Sequence, residues 1–122
     1  MHYHHLFSDT DGESHWADID VSLTPVAFAP PAQDIHISEG EPAISVVFLS
    51  LPVGWNEPPH ASPRSQYLAV RSGIVEVTAS DGEKRIIGPG DVWRMDDTHG
   101  KGHHTKVIGE TVFEAIVVQL AS

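Results

Sequence analysis

The sequence predicts an all-β fold, and three observations carry that expectation. Apolar and polar residues alternate with a period of two along much of the chain, as in Ile19, Val21 and Leu23 against Asp20, Ser22 and Thr24. Turn-forming clusters such as Ser72-Gly73, Ser80-Asp81-Gly82 and Gly109-Glu110 separate the alternating runs. No window of about a dozen residues sustains an apolar helical stripe with start and stop signals. About nine or ten short strands at this spacing favour a sandwich or barrel over an open sheet, because closure removes exposed edges. A closed double sheet is also a natural cup.

The elements follow in order. The first dozen residues are polar and His-rich and read as a frayed terminus, with His2, His4 and His5 as an adventitious metal-binding tail. Asp11-Gly12-Glu13 makes a turn, from which Ser14-His15-Trp16 enters the first strand. Ile35 and Ile37 alternate with His36 and Ser38, and the β-branched run from Ala43 to Leu51 is bounded by Pro42 and Pro52. Pro52, Pro58, Pro59 and Pro63 each lack the N–H that a ladder needs, so this segment belongs at the mouth of the barrel rather than in a central strand. Gln66 to Arg71 and Ile74 to Ala79 flank a hairpin turn at Ser72-Gly73, and Lys84 to Ile87 follows the next turn. Asp91 to Met95, Thr105 to Ile108 and Val112 to Leu120 complete the set.

At 122 residues the chain reads as one domain over 1–122, enough to bury roughly two-thirds of its unfolded surface without disulfides or a structural metal. A homodimer is compatible with this length. The chain has no cysteine, which excludes a disulfide framework, a thiolate zinc site and a Cys nucleophile. Seven Lys plus Arg against seventeen Asp plus Glu give a formal charge of -10, which repels nucleic acid and anionic membranes. The N-terminus has neither a basic start nor a long apolar run, so the expectation is a soluble cytoplasmic protein whose partner is a small molecule.

Titratable residues gather in two loops between apolar, β-rich segments, as when a rigid scaffold presents a site. One loop holds His60; the other holds Asp96, Asp97, His99, His103 and His104. Gly54, His60, Gln66 and Gly73, then Gly82, Pro89-Gly90-Asp91 and His103, resemble the two-part signature of the cupin superfamily. Asp11 to Trp16, His60-Ala61-x-Pro63 with Gln66-Tyr67, and Asp96 to His103 are further similar to a group of small single-domain bacterial cupins. The resemblance implies a double-stranded β-helix, the jelly-roll barrel. It also implies a divalent metal (Zn, Ni, Mn or Fe) held by two His and a Glu of the first motif and a His of the second. Carried onto this chain, the ligands are His60, Gln66 in place of the Glu, and His103, with Ser62 where the second His would stand. Serine is a poor transition-metal ligand and Gln lacks the carboxylate charge, so any such metal is expected to be weakly bound.

His60, stiffened by its prolines, is the candidate acid/base or ligand aimed into the cup, the plain alternative being a surface-loop histidine. His103 and His104 are adjacent, so an extended chain points them to opposite sides; the motif selects His103 and leaves His104 to solvent. Asp96-Asp97 offers a carboxylate to fix a histidine tautomer or serve as base, and Asp96 is the candidate because it abuts a strand end. The plain alternative is that the pair shapes a turn. His15, Arg64, Tyr67, Trp93 and His99 are candidates to line the substrate site. Arg64 suits a carboxylate or enolate, though a surface ion pair is the commoner fate of such a residue.

There is no Gly-rich phosphate loop leading into a helix, no Gly-x-Ser-x-Gly elbow and no His-Glu-x-x-His helix. The leading expectation is a small cupin enzyme that abstracts and returns a proton on a small organic molecule, as an isomerase, dehydratase, lyase or cyclase does. His60, His103 and Asp96 are its catalytic candidates. A noncatalytic ligand-binding cupin and a metal-dependent dioxygenase are the rivals, the latter disfavoured by the altered ligand set.

Overall fold

The computed structural model describes residues 1–121, which form eleven strands and no helix. They are β1 (His2–Ser8), β2 (Ser14–Asp20), β3 (Thr24–Val26), β4 (Ile35–Ile37), β5 (Ala43–Leu51), β6 (Gln66–Ser72), β7 (Ile74–Ala79), β8 (Lys84–Ile87), β9 (Val92–Asp96), β10 (His103–Ile108) and β11 (Phe113–Leu120). A six-stranded sheet in the order β2-β1-β9-β6-β11-β5 faces a three-stranded sheet in the order β10-β7-β8, while β3 and β4 pair only with each other. Since no described helix exists, none is long and apolar enough to cross a membrane.

Period-two alternation decides what each strand buries. Leu68 and Val70 of β6, Val75 and Val77 of β7, Trp93 and Met95 of β9, and Phe113, Ala115 and Val117 of β11 all point between the sheets and build the core. Each large side chain so buried stabilises the fold by about 1.5–3 kcal/mol relative to exposure. The alternate residues Tyr67, Ala69, Val92, Arg94 and Ile116 therefore lie on the outer face of the large sheet.

The N-terminus departs from the frayed tail expected of it. β1 is inserted between β2, which it meets antiparallel, and β9, which it meets in parallel with His4 opposite Trp93. The reason is alternation hidden by histidines: His4 and Leu6 point inward, and Leu6 is wholly buried. His4 and His5 are thus fixed in a strand, and they approach Asp91 and Asp96 rather than forming a free metal-binding tail. The Asp9 carboxylate accepts from the backbone of Asp11 and Glu13, setting a tight turn that leads into β2 at Ser14; β2 stops at Asp20, before the Ile19–Leu23 run is complete.

Candidate functional site

The Pro-rich segment runs beside β10 as expected of a mouth loop, yet it is hydrogen-bonded to it. Val107 donates its N–H to the Trp55 carbonyl at 2.9 Å, and His60 and His103 exchange both backbone bonds at 3.1 Å. Gly102 permits this approach: its φ is +70°, and a Cβ there would collide with the His60 carbonyl. The exchange sets the His60 and His103 rings 5.3 Å apart, centroid to centroid.

Beneath them lies a cavity of about 260 Å³ between the two sheets. Leu49, Leu51, Trp55, Leu68 and Phe113 give it apolar walls, while His60, His103 and Gln66 supply polar groups. No Lys or Arg lines it. A larger groove, about 750 Å³, runs over the outer face of the six-stranded sheet, but the two histidines do not reach it.

His103 is buried, and its Nδ1 lies 2.6 Å from Oδ2 of Asp97, whose side chain is wholly enclosed. A carboxylate at that distance fixes the proton on Nδ1 and leaves Nε2 as the acceptor. The other oxygen of Asp97 accepts from the Ser62 hydroxyl at 2.7 Å. Ser62 also donates its backbone N–H to the Asp97 carbonyl at 2.9 Å, so the His60 loop is latched to the segment after β9. His60 is exposed, and its Nδ1 sits 3.1 Å from the Pro58 carbonyl, which turns Nε2 outward from its own loop. Gln66 is buried, with its amide nitrogen 3.9 Å from the Met95 sulfur and its oxygen 3.5 Å from the Gln119 amide; both contacts are long, so its N–H groups are weakly committed.

His60, Gln66, His103 and Trp93 are thus brought to one cavity, and His104 turns away to Asn56 at 2.6 Å. Asp96 is not with them. It follows Arg94 onto the outer face, where Arg94 Nε and His5 Nε2 each lie 2.6 Å from its Oδ2. Burial opposes its ionisation, but hydrogen bonds from His5, Ser65 and Arg94 outweigh that and hold the carboxyl well below the usual carboxylate range. Such a group is a poor base, and the supporting carboxylate is Asp97. The signal was period-two parity: Trp93, Met95 and Asp97 share the inward side.

The remaining lining candidates also lie elsewhere. Tyr67 alternates with inward Gln66 and therefore points out, stacking under Arg94 at 4.9 Å and donating to Glu41 at 2.9 Å. Burial and that acceptor push its phenol above the ordinary range. Arg64 donates to the Leu120 carbonyl at 3.4 Å and leaves the cavity without a cation. His15 bridges the carboxylates of Asp9 and Asp81 at 2.8 Å each, and those hydrogen bonds raise its pKa above the ordinary 6.5. His99 sits on an exposed loop with Nε2 3.2 Å from the Asp9 carbonyl. Leu49, Leu51, Thr105 and Phe113 also line the cavity without having been singled out by sequence, together with Ser62, which the motif had marked only as standing in place of a histidine.

The donor set fits a resident transition metal poorly. Only two imidazoles converge, Gln66 is neutral, and the Ser62 hydroxyl is given to Asp97. Among the described residues no three His, Cys, Asp or Glu side chains form a group suited to a metal ion.

The family model and one solved structure, the Cnp3 cupin domain, agree with this architecture. The cupin domain sequence pattern matches residues 47–119. Among solved structures, the cupin domain of Cnp3 from Schizosaccharomyces pombe superposes with a TM-score of 0.52 at 12% identity, covering 99% of this chain and 88% of that one. The SPY1581 protein of unknown function from Streptococcus pyogenes gives 0.47 at 21% identity, over 70% of this chain and 71% of that one. A putative ethanolamine utilization protein from Salmonella typhimurium gives 0.39 at 14% identity, over 98% and 95%. No curated protein matches. With the signature covering more than half its length and both motifs placed at the mouth of a double-sheet barrel, the chain belongs to the cupin superfamily.

Proposed function

We propose that this chain is a small cupin enzyme that moves a proton on a small, neutral, largely apolar organic molecule, in a reaction of isomerase, dehydratase, lyase or cyclase type. One observation carries the reading: the buried Asp97–His103 dyad borders an apolar cavity, with a second imidazole, His60, at its mouth. In such a site His103 Nε2 takes a proton from a carbon next to a carbonyl. The C–H electron pair passes into an enolate, and Asp97 supports the imidazolium that forms. The weakly committed Gln66 N–H groups are within the same cavity to polarise the carbonyl oxygen. His60 Nε2, open to solvent, exchanges protons at the other end and returns one to the product.

Substrate charge follows from the walls. An anion entering the cavity would meet no cation and would approach the Asp97 carboxylate inside a chain of net charge -10. A volume of about 260 Å³ lies just below the usual range of roughly 300–1,000 Å³ for small-molecule sites, so the substrate is small. No step is routed through a metal, since the converging donors would hold one weakly.

The test is exchange of carbon-bound hydrogen in deuterium oxide, followed by NMR across a panel of small neutral ketones, aldehydes and lactones. The wild type should catalyse exchange on at least one, and His103→Ala should cut it by about 10²–10⁴-fold. A ligand that binds the cavity without exchange or turnover would instead support a noncatalytic binding module.

A further inference from the structure

One row of side chains crosses the inner face of the large sheet in register: Ser45 of β5, Gln119 of β11, Gln66 of β6 and Met95 of β9. The four touch in that order. The Ser45 hydroxyl donates to Oε1 of Gln119 at 2.5 Å, and Nε2 of Gln119 lies 3.5 Å from Oε1 of Gln66. Nε2 of Gln66 in turn lies 3.9 Å from the Met95 sulfur. Gln66 and Met95 line the cavity, whereas Ser45 and Gln119 stand behind its wall.

The Met95 end fixes the direction of the row. A thioether sulfur accepts hydrogen bonds and never donates them, and this one already receives the Ser62 hydroxyl at 3.2 Å. The end of the Gln66 amide beside it must therefore be the NH₂. The Gln66 oxygen is then turned to Gln119, which meets it with its own NH₂, and the Gln119 oxygen takes the Ser45 hydroxyl. Reversing the row would bury the Gln66 oxygen against the sulfur, two acceptors face to face.

We infer that Gln119 is a positioning residue: it occupies the oxygen of Gln66, so that Gln66 presents only donors and the cavity selects a molecule whose polar atom is a hydrogen-bond acceptor, a carbonyl oxygen above all. The substrate class rests on the proton-transfer reading of the same cavity, while the polarity of the amide stands on the row itself. The two polar ends of the cavity then complement each other. His103 Nε2 accepts a proton from carbon, and Gln66 donates to the oxygen on which the negative charge collects. A reversed Gln66 would meet that oxygen with another oxygen and lose both binding and stabilisation of the enolate.

Nuclear Overhauser contacts between the Gln66 side-chain NH₂ and the Met95 methyl read the polarity directly. They should be strong in the wild type. In Gln119→Glu the new carboxylate accepts from both Ser45 and Gln66, so the Gln66 oxygen should swing toward Met95 and the contacts should fade. Two neutral five-membered rings probe the consequence, acceptor-only cyclopentanone and donor-only pyrrole, with binding followed by shifts of the cavity resonances. The wild type should favour cyclopentanone by at least about threefold, and Gln119→Glu should favour pyrrole. Gln119→Leu, which removes the amide and keeps much of the volume, should weaken both the contacts and the preference, and it decides the matter if the Glu variant fails to fold. Absence of the Gln66–Met95 contact in the wild type, or contacts and preference unchanged by the substitutions, would overturn the proposal. Contacts and preference as expected, with no catalysed hydrogen exchange on any carbonyl compound, would support the role of Gln119 and defeat the proton-transfer reading alone.

Discussion

The Nδ1 of His103 meets the Oδ2 of Asp97 across 2.6 Å in a part of the barrel where neither side chain is open to water. The carboxylate also holds Ser62, so it both orients an imidazole and fastens the loop that carries His60.

Asp97→Ala would therefore strand two buried donors, the Ser62 hydroxyl and the His103 N–H. Each costs about 1–3 kcal/mol when left unpaired, giving an expected loss of about 2–6 kcal/mol. Asp96→Ala, whose partners Arg94 and His5 are partly solvated and can turn to water, should cost less than half as much. Chemical denaturation of the two variants checks the order. Asp97→Asn should keep much of the stability but lose the preference for the Nδ1–H tautomer, which nitrogen NMR of His103 reads directly.

Gly102→Ala adds a methyl group where the His60 carbonyl already stands, at a φ of +70°. Strain at a left-handed residue costs about 1–3 kcal/mol, and the collision adds to it, so at least about 2 kcal/mol should be lost. The His60–His103 backbone pair should open too, visible as faster amide hydrogen exchange at both residues. Unchanged protection would show that the glycine is not what lets the loop close on β10.

His15 makes stability depend on pH. Hydrogen bonds to Asp9 and Asp81 raise its pKa in the folded protein, so it binds its proton more tightly than in the unfolded chain. That contribution is complete below the ordinary value of 6.5 and fades as pH rises through the raised folded value. The lowered pKa of Asp9, caused chiefly by its bond to His15, acts in the opposite sense and is lost only in acid. His15→Gln should therefore lower the melting temperature more at mildly acidic pH than at mildly alkaline pH. An equal drop at both would leave His15 with no role as a charged bridge.

Metal affinity should respond to a single charge. The wild-type cavity offers two imidazoles and a neutral amide, whereas Gln66→Glu would add the carboxylate. Calorimetry with zinc or nickel should show binding no tighter than about micromolar in the wild type and at least about tenfold tighter in the variant. Nanomolar binding that the substitution leaves unchanged would place the metal on other residues. Restoring the second histidine at Ser62 is a less clean test, because that site is buried and the hydroxyl is given to Asp97.

Much of the architecture was legible because one periodicity governs it: strands β5 to β11 fall close to the alternating runs. β1 was not, because its polar-looking histidines conceal the inward pair His4 and Leu6, and because its β9 partner is remote in sequence. Within the site, His60 and His103 stood out by motif, and Gln66 followed. Asp96 was preferred over Asp97 on proximity to a strand end, whereas parity from Trp93 and Met95 points to Asp97. Applied to Gln66, the same rule sends Tyr67 to the opposite face. The apolar wall from β5 and β11 leaves no mark distinguishing cavity from core, since both are built from the same inward residues.

The position of β1 has a consequence for how the chain is made. Its hairpin with β2 can form as soon as both strands leave the ribosome, yet its other edge stays unpaired until β9 has been synthesised. Closing the large sheet is thus among the last events of folding, and folding should take milliseconds to seconds, the range of about 10⁻³–1 s typical of proteins dominated by distant pairings. Until then the open edge of β1 is a template for the wrong strand, with Leu6 in full view. A nascent chain stalled before Val92 should bind chaperones and resist native-like compaction, and one extended past Leu120, which adds both β9 and the β11 that joins β6 to β5, should release them.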